Sequence, residues 1–379
     1  MKKLIIIICF LIFTQNYCYA TQEEIISSQK DDLNISSFID EAKEYTRDIF
    51  PDIDMDNLLS DAIKGEINNE KIFGNILNLF GKEIKSTIKT LASILIIIVI
   101  HSVFKSVSEN LGNQNISQIT YYVQYILIVT LIMANFTDII TVVRESIQNL
   151  VSFMYMLTPI LITLMITTGS IVSANVLQPV LLFAISFIGN LIANFILPII
   201  LISAVLSIVS QISSKFQIDK LSNFFNSGIV WILGIVLTIF VGMLSLEGTL
   251  SSSVDGLTAK ATKAAVSNFI PVVGKVLGDS IDTVLGCASI LKNAVGIVGV
   301  VVLIGICVVP IVKLAILTIT YYLASAICQP IADSKIIKLL DQMGGTFKML
   351  LAITVTVAIM FIIGITIVIK ISNSGLMYR

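Results

Sequence analysis

The sequence predicts an all-α fold: a polytopic α-helical membrane protein with a small helical extracytoplasmic region at its N-terminal end. Three observations predict it. Of 379 residues, 56% are hydrophobic and 13% charged, about half the charge a soluble domain carries. Mean hydropathy is +0.94. The charge is also unevenly placed. Residues 21–90 hold 15 Asp+Glu against 8 Lys+Arg, whereas residues 91–379 hold 10 against 14. A chain so poor in charge cannot cover a folded surface with polar groups, so most of that surface meets lipid. This excludes a soluble enzyme, a disordered protein and a nucleic-acid-binding module, which needs a basic face.

The first element, residues 1–20, reads as a secretory signal peptide. Lys2 and Lys3 form a positive start, Leu4 to Phe13 an apolar stretch of ten residues, and Cys18-Tyr19-Ala20 a plausible cleavage site. Ten helical residues reach about 15 Å, half the hydrocarbon thickness. The alternative is an uncleaved anchor running on through Cys18. Cys287, Cys307 and Cys328 show no CxxC spacing and read as small hydrophobes in a helical bundle.

Residues 21–89 read as an acidic, extracytoplasmic helical region. Leu58, Leu59, Ala62 and Ile63 fall at helical spacing, Asp56 is placed to cap, and Pro51 separates two helices. The region is too short and too polar to bury a large core alone. It is therefore expected to pack on a partner or on the membrane surface.

From Thr90 onward, a charge at mid-bilayer costs about 2.5 kcal/mol or more, so charge-free runs mark spans. The runs are 90–104, 110–137, 146–214, 221–246, 293–312, 314–332 and 349–369. Run 90–104 reaches span length with its flanks, Ile88 to Val107. Run 146–214 has 69 residues, enough for two or three crossings, with Pro159, Pro179 and Pro198 inside it and a turn at Thr167-Thr168-Gly169-Ser170. Runs 293–312 and 314–332 are parted by Lys313 and read as one long kinked helix or a tight pair. The total is seven to nine spans. The bundle covers 90–251 and 294–379, with an amphipathic or re-entrant segment at 252–293 between them.

No catalytic constellation is present. His101 is the sole histidine, and P-loop, HExxH and GxSxG motifs are absent. No metal or cofactor is expected, and the chain reads as a non-enzyme. Four sets of residues nevertheless stand out as candidates for pore lining or packing. Asn190 and Asn194, four residues apart with Ser186 four before, form one polar stripe on a helix. They either glue helices together or line a polar path. Gly274 and Gly278 form a small-xxx-small pair that admits a close neighbour. Lys275, Asp279 and Asp282 share one helical face with Ser289 and Asn293, either at the membrane interface or facing a water-filled cavity. Lys313 is the strongest ionisable candidate within a span.

The stretch FIPVVGKVLGDSIDTVLGCASILKNAVG, Phe269 to Gly296, resembles the signature segment of the stage III sporulation protein AE family. Signal peptide, acidic head, multispan body and length are similar too. The resemblance implies a non-enzymatic membrane component of a sporulation-specific export or channel complex linking mother cell and forespore, needed for late forespore gene expression. It implies a multi-pass position in the mother-cell-derived membrane around the forespore. It also implies partners: the other membrane and ring-forming proteins of that stage III sporulation complex, including a cytoplasmic secretion-type ATPase. No nucleic acid partner is expected. The alternative is a permease subunit of an ABC-type or secondary transporter. A secondary transporter calls for midplane charges and inverted repeats, of which Lys313 is the main trace. An ABC permease calls for a cytoplasmic coupling helix, which the 252–293 segment could supply.

Overall fold

A computed structural model describes residues 21–377 apart from 48, 52, 67–68, 111–113, 213–218 and 270–272. The expected signal peptide, residues 1–20, lies outside the described residues. Among them there are helices and no strands: α1 (Gln22–Asp32), α2 (Ile35–Thr46), α3 (Met55–Lys64), α4 (Asn69–Asn110), α5 (Gln114–Thr167), α6 (Ile171–Leu191), α7 (Leu197–Ile212), α8 (Asp219–Phe269), α9 (Val273–Cys328) and α10 (Ser334–Met377). A π-helical turn, Ile192–Ile196, joins α6 to α7.

The short helices are delimited by local chemistry. Thr21 and Glu24 form a capping box at the start of α1, satisfying two backbone donors reciprocally. Asp54 accepts from the Asp56 N–H to open α3, and Gly65 closes it at φ +77°, a left-handed conformation that glycine takes without a Cβ clash. The ammonium of Lys43 lies 2.6 Å from Asp56, 3.6 Å from Asp40 and 3.9 Å from Asp54, and Lys30 adds a contact to Asp56 at 3.5 Å. The hydrogen bond from Lys43 holds the Asp56 carboxyl below the usual carboxylate range.

This acidic head does find the support its size demands, and the support is its own chain. Ile35, Phe38, Ile39, Ala42, Phe50, Met55 and Leu59 are all at most 1% exposed. Phe38 and Tyr45 pack on Phe153 of α5 at 6.0 and 5.8 Å between ring centroids. Gln29 donates to the Val284 carbonyl of α9 at 3.4 Å. Phe50 and Thr46 close over Gly305, and Ile49 joins Ile76, Leu79 and Phe80 against Val308, Val312 and Ile316. The head thus lies along α9 from Val284 to Ile316 rather than capping the end of the bundle.

The central helix is α9. Its 56 residues extend about 84 Å at 1.5 Å per residue, and α10 returns antiparallel beside it, joined through the turn after Cys328. Glycines permit the closest approaches. A Cβ on Gly296 would collide with Ile369 Cδ1 of α10, and one on Gly248 of α8 with Ile371 Cδ1. Tyr321, fully buried, packs its ring on Phe347 at 5.0 Å.

Among the described residues, five helices are long and apolar enough to cross a membrane: Tyr125–Thr167, Ile171–Gln211, Lys220–Thr258, Asp282–Cys328 and Ser334–Ile371. The sequence predicts seven to nine, and helix continuity accounts for part of the difference; the Ile88 to Val107 stretch is not among the five. Exposed Asp138, Arg144 and Glu145 sit inside unbroken α5, and Lys313 sits inside unbroken α9, so the runs on either side of them fuse. The pair of runs 293–312 and 314–332 is one helix. Run 146–214 folds back once, at the expected turn, where Gly169 has φ +83°. Pro198 does not add another turn. The π-helical turn directly before it accommodates a ring that has no N–H and crowds the preceding turn. Ile88 to Val107 forms the second half of α4. The 252–293 segment is shared between the end of α8 and the start of α9.

Contacts fix relative heights along the bundle. Gly296 of α9 meets Ile365 and Ile369, and Gly364 meets Phe240 of α8. Phe240 therefore lies level with the part of α9 that the head covers. At that same height the outer face of α8 is bare and apolar: Trp231, Ile235, Ile239, Leu246 and Leu250 are 52–73% exposed. One flank of the molecule carries charge, and at the same level the described outer face of α8 from Trp231 to Leu246 presents apolar side chains, with half-buried Glu247 at its edge.

Candidate functional site: polar groups inside an apolar bundle

Asp255 is the sole acid between Glu247 and Asp279. It projects from α8 to the start of α6, where its two carboxylate oxygens accept from the Val172 N–H at 2.9 Å and the Ser173 N–H at 3.0 Å. It is 3% exposed. The first turn of a helix leaves backbone N–H groups without partners and carries a partial positive charge. The carboxylate answers both, and ties the Thr167–Ser170 turn to a helix more than 80 residues away.

Lys292 of α9 is fully buried, and its ammonium donates to the Ile369 carbonyl of α10 at 3.3 Å. Ser289 is buried beside it in sequence and Asn293 half-buried. This part of the predicted polar face therefore turns into the bundle, toward the end that carries the α5–α6 turn. Asp282 is half-buried. Gly274, Lys275, Gly278 and Asp279 belong to the first turns of α9, but their side chains lie outside the described residues. Lys313 is half-buried next to buried Val312 and has no hydrogen-bond or ion-pair partner among the described residues.

Toward the opposite end, Ser203 and Ser207 of α7 share hydrogen bonds at 2.7 and 2.8 Å with the Ser222 hydroxyl of α8, and Gln211 reaches Gln342 at 3.3 Å. Tyr125 of α5 donates to the Ile208 carbonyl at 2.5 Å. These are the short interhelical bonds that substitute for hydrophobic driving force in lipid.

Asn190 and Asn194 behave differently. Both are exposed. Asn190 donates to the Ser186 carbonyl at 2.9 Å, and Asn194 donates to Asn190 Oδ1 at 3.3 Å. The ladder runs along its own helix and faces outward, so within one chain it glues no neighbour.

Asp255 and Lys292 are the polar residues that sequence reasoning passed over. Lys292 directly precedes the charge-free run 293–312, which makes it look like a span boundary, and Asp255 lies in the 252–293 segment between the two parts of the bundle. The only sequence signal is the isolation of Asp255 in an otherwise acid-free stretch.

Among the described residues, no group of three or more His, Cys, Asp or Glu is placed to hold a metal. Polar side chains here join helix to helix. The architecture is that of a helical membrane protein whose interior polarity serves packing. The chain belongs to the stage III sporulation protein AE family: the family's sequence profile matches residues 53–372, from just before α3 to the last turns of α10. It is 31% identical over 350 residues to Stage III sporulation protein AE of Bacillus subtilis (strain 168), covering 90% of this chain and 87% of that protein. No solved structure matches.

Proposed function

We propose that this protein is a non-enzymatic, multi-pass component of a sporulation-specific export or channel complex between mother cell and forespore, needed for late forespore gene expression. Its place is the mother-cell-derived membrane around the forespore. Its partners there are the other membrane and ring-forming proteins of the complex and a cytoplasmic secretion-type ATPase. Family membership supports the sporulation role. The observation that carries the channel reading is the lateral split of the molecule: a charged head lies along α9 at the same height as the bare apolar face of α8. A charged surface at that level needs water, and an apolar one needs lipid or protein. A subunit that frames an aqueous passage presents one of these flanks to each side.

The test is purification of the tagged full-length chain from sporulating cells in mild detergent, followed by identification of the co-purifying proteins. Other membrane subunits and a secretion-type ATPase are expected. Recovery with an ABC-type nucleotide-binding subunit alone would replace this reading with a permease.

A further inference from the structure

We propose that the Ser186–Asn190–Asn194 stripe of α6 is a contact surface for a second copy of this chain. Asn190 lies 19 residues after Ile171 and 21 before Gln211, at the middle of an apolar stretch long enough to cross the membrane. The stripe sits in the 69-residue run that contains no charge. Its amides point away from the bundle, and Asn194 Oδ1 has no partner among the described residues. A carboxamide facing hydrocarbon leaves hydrogen-bonding capacity unmet, so protein rather than lipid covers it.

The chemistry of the stripe selects the occupant. Every carboxamide both donates and accepts, so an amide ladder is its own complement. Two copies related by a two-fold axis satisfy one another with the same residues. No charge on the stripe demands an opposite charge on a partner, and none repels an identical one. The flanks suit close packing of aromatic side chains. Phe183 and Phe187, 65% and 46% exposed, stack at 6.0 Å and 18° on one side, and Phe195, 50% exposed, stands beyond Asn194. The π-helical turn at Ile192–Ile196 takes in Asn194, the last residue of the stripe, and such turns often mark functional positions in helices.

The experiment uses the full-length protein in its native membrane. Phe187→Cys is expected to give a disulfide-linked dimer on mild oxidation. The parent for all variants carries Cys9→Ser and Cys18→Ser, and it gives none, because the remaining Cys287, Cys307 and Cys328 are buried. Trp231→Cys, on the exposed face of α8, also gives none. Adding Asn190→Leu and Asn194→Leu is expected to reduce the Phe187→Cys dimer about tenfold at unchanged membrane level, the loss of two interhelical hydrogen bonds. Co-capture of two differently tagged copies from one membrane should fall in parallel, and this second readout does not depend on the introduced cysteine. Absence of the dimer overturns the proposal. So does a dimer that the leucine pair leaves unchanged, or cross-linking of Phe187→Cys to a different protein only.

Discussion

Asp255→Ala is expected to destabilise the folded chain by about 3 kcal/mol, the largest effect of any single polar residue considered. The substitution leaves the Val172 and Ser173 N–H groups buried without acceptors, each costing about 1–3 kcal/mol. It also removes a negative charge from a helix N-terminus, worth about 0.3–2 kcal/mol. Relaxation of the Thr167–Ser170 turn and entry of water offset part of that sum. Asp255→Asn keeps one acceptor and should cost roughly 1 kcal/mol. Unfolding by steric trapping or graded denaturant in detergent measures both. A cost for alanine within 0.5 kcal/mol of wild type would mean that the α6 N-terminus is satisfied without α8.

Gly305→Leu is expected to lift the head from α9. A Cβ at this position would lie 3.1 Å from Phe50 Cε2 and 3.3 Å from Thr46 Cγ2, so even alanine forces a small adjustment. Leucine adds three more carbons against an aromatic ring held in a packed layer, and overpacking of this kind costs about 1–3 kcal/mol or more. The head buries Phe50 and packs Ile49 against this surface of α9. Limited trypsin digestion should therefore cut after Arg47 or Lys64 at least about tenfold faster, while the fragment carrying α5 to α10 persists. Gly234→Leu is the matched control: nothing lies within 4 Å of a Cβ there, and head proteolysis should not change. Equal cutting rates for the two variants would show that the head does not depend on the Gly305 contact.

These two positions also illustrate how much the sequence reveals. Features set by neighbouring residues are legible. The turn at Thr167–Ser170 follows from Gly169, which takes φ +83°. The need of the head for support follows from its size, although the identity of the support does not. Helix type across the chain follows from hydropathy. Span limits are less legible, because the rule that charges end spans assumes helices of bilayer length. Here α5, α8 and α9 have 54, 51 and 56 residues, each well over twice the hydrocarbon thickness. Asp138, Arg144 and Glu145 are exposed along such a helix without ending it. The Asn190–Asn194 stripe is legible from its spacing of four, but its outward direction depends on which side of α6 meets α5 and α8. Asp255 is the least legible of all. Its partners are two backbone N–H groups in a helix 83 and 82 residues away, and no local pattern encodes that distance.

The lateral split between a water-facing head flank and a lipid-facing α8 flank is tested most directly by one paired accessibility measurement. Asp40→Cys in α2 and Ile239→Cys in α8 are both well exposed, with side-chain exposure of 77% at Asp40 and residue exposure of 61% at Ile239. Each is treated with a membrane-impermeant thiol reagent in right-side-out and in inverted membrane vesicles. The split predicts rapid labelling of Asp40→Cys in one vesicle orientation and protection of Ile239→Cys in both. Labelling of Ile239→Cys at a rate matching Asp40→Cys, or protection of both positions in both orientations, would contradict it.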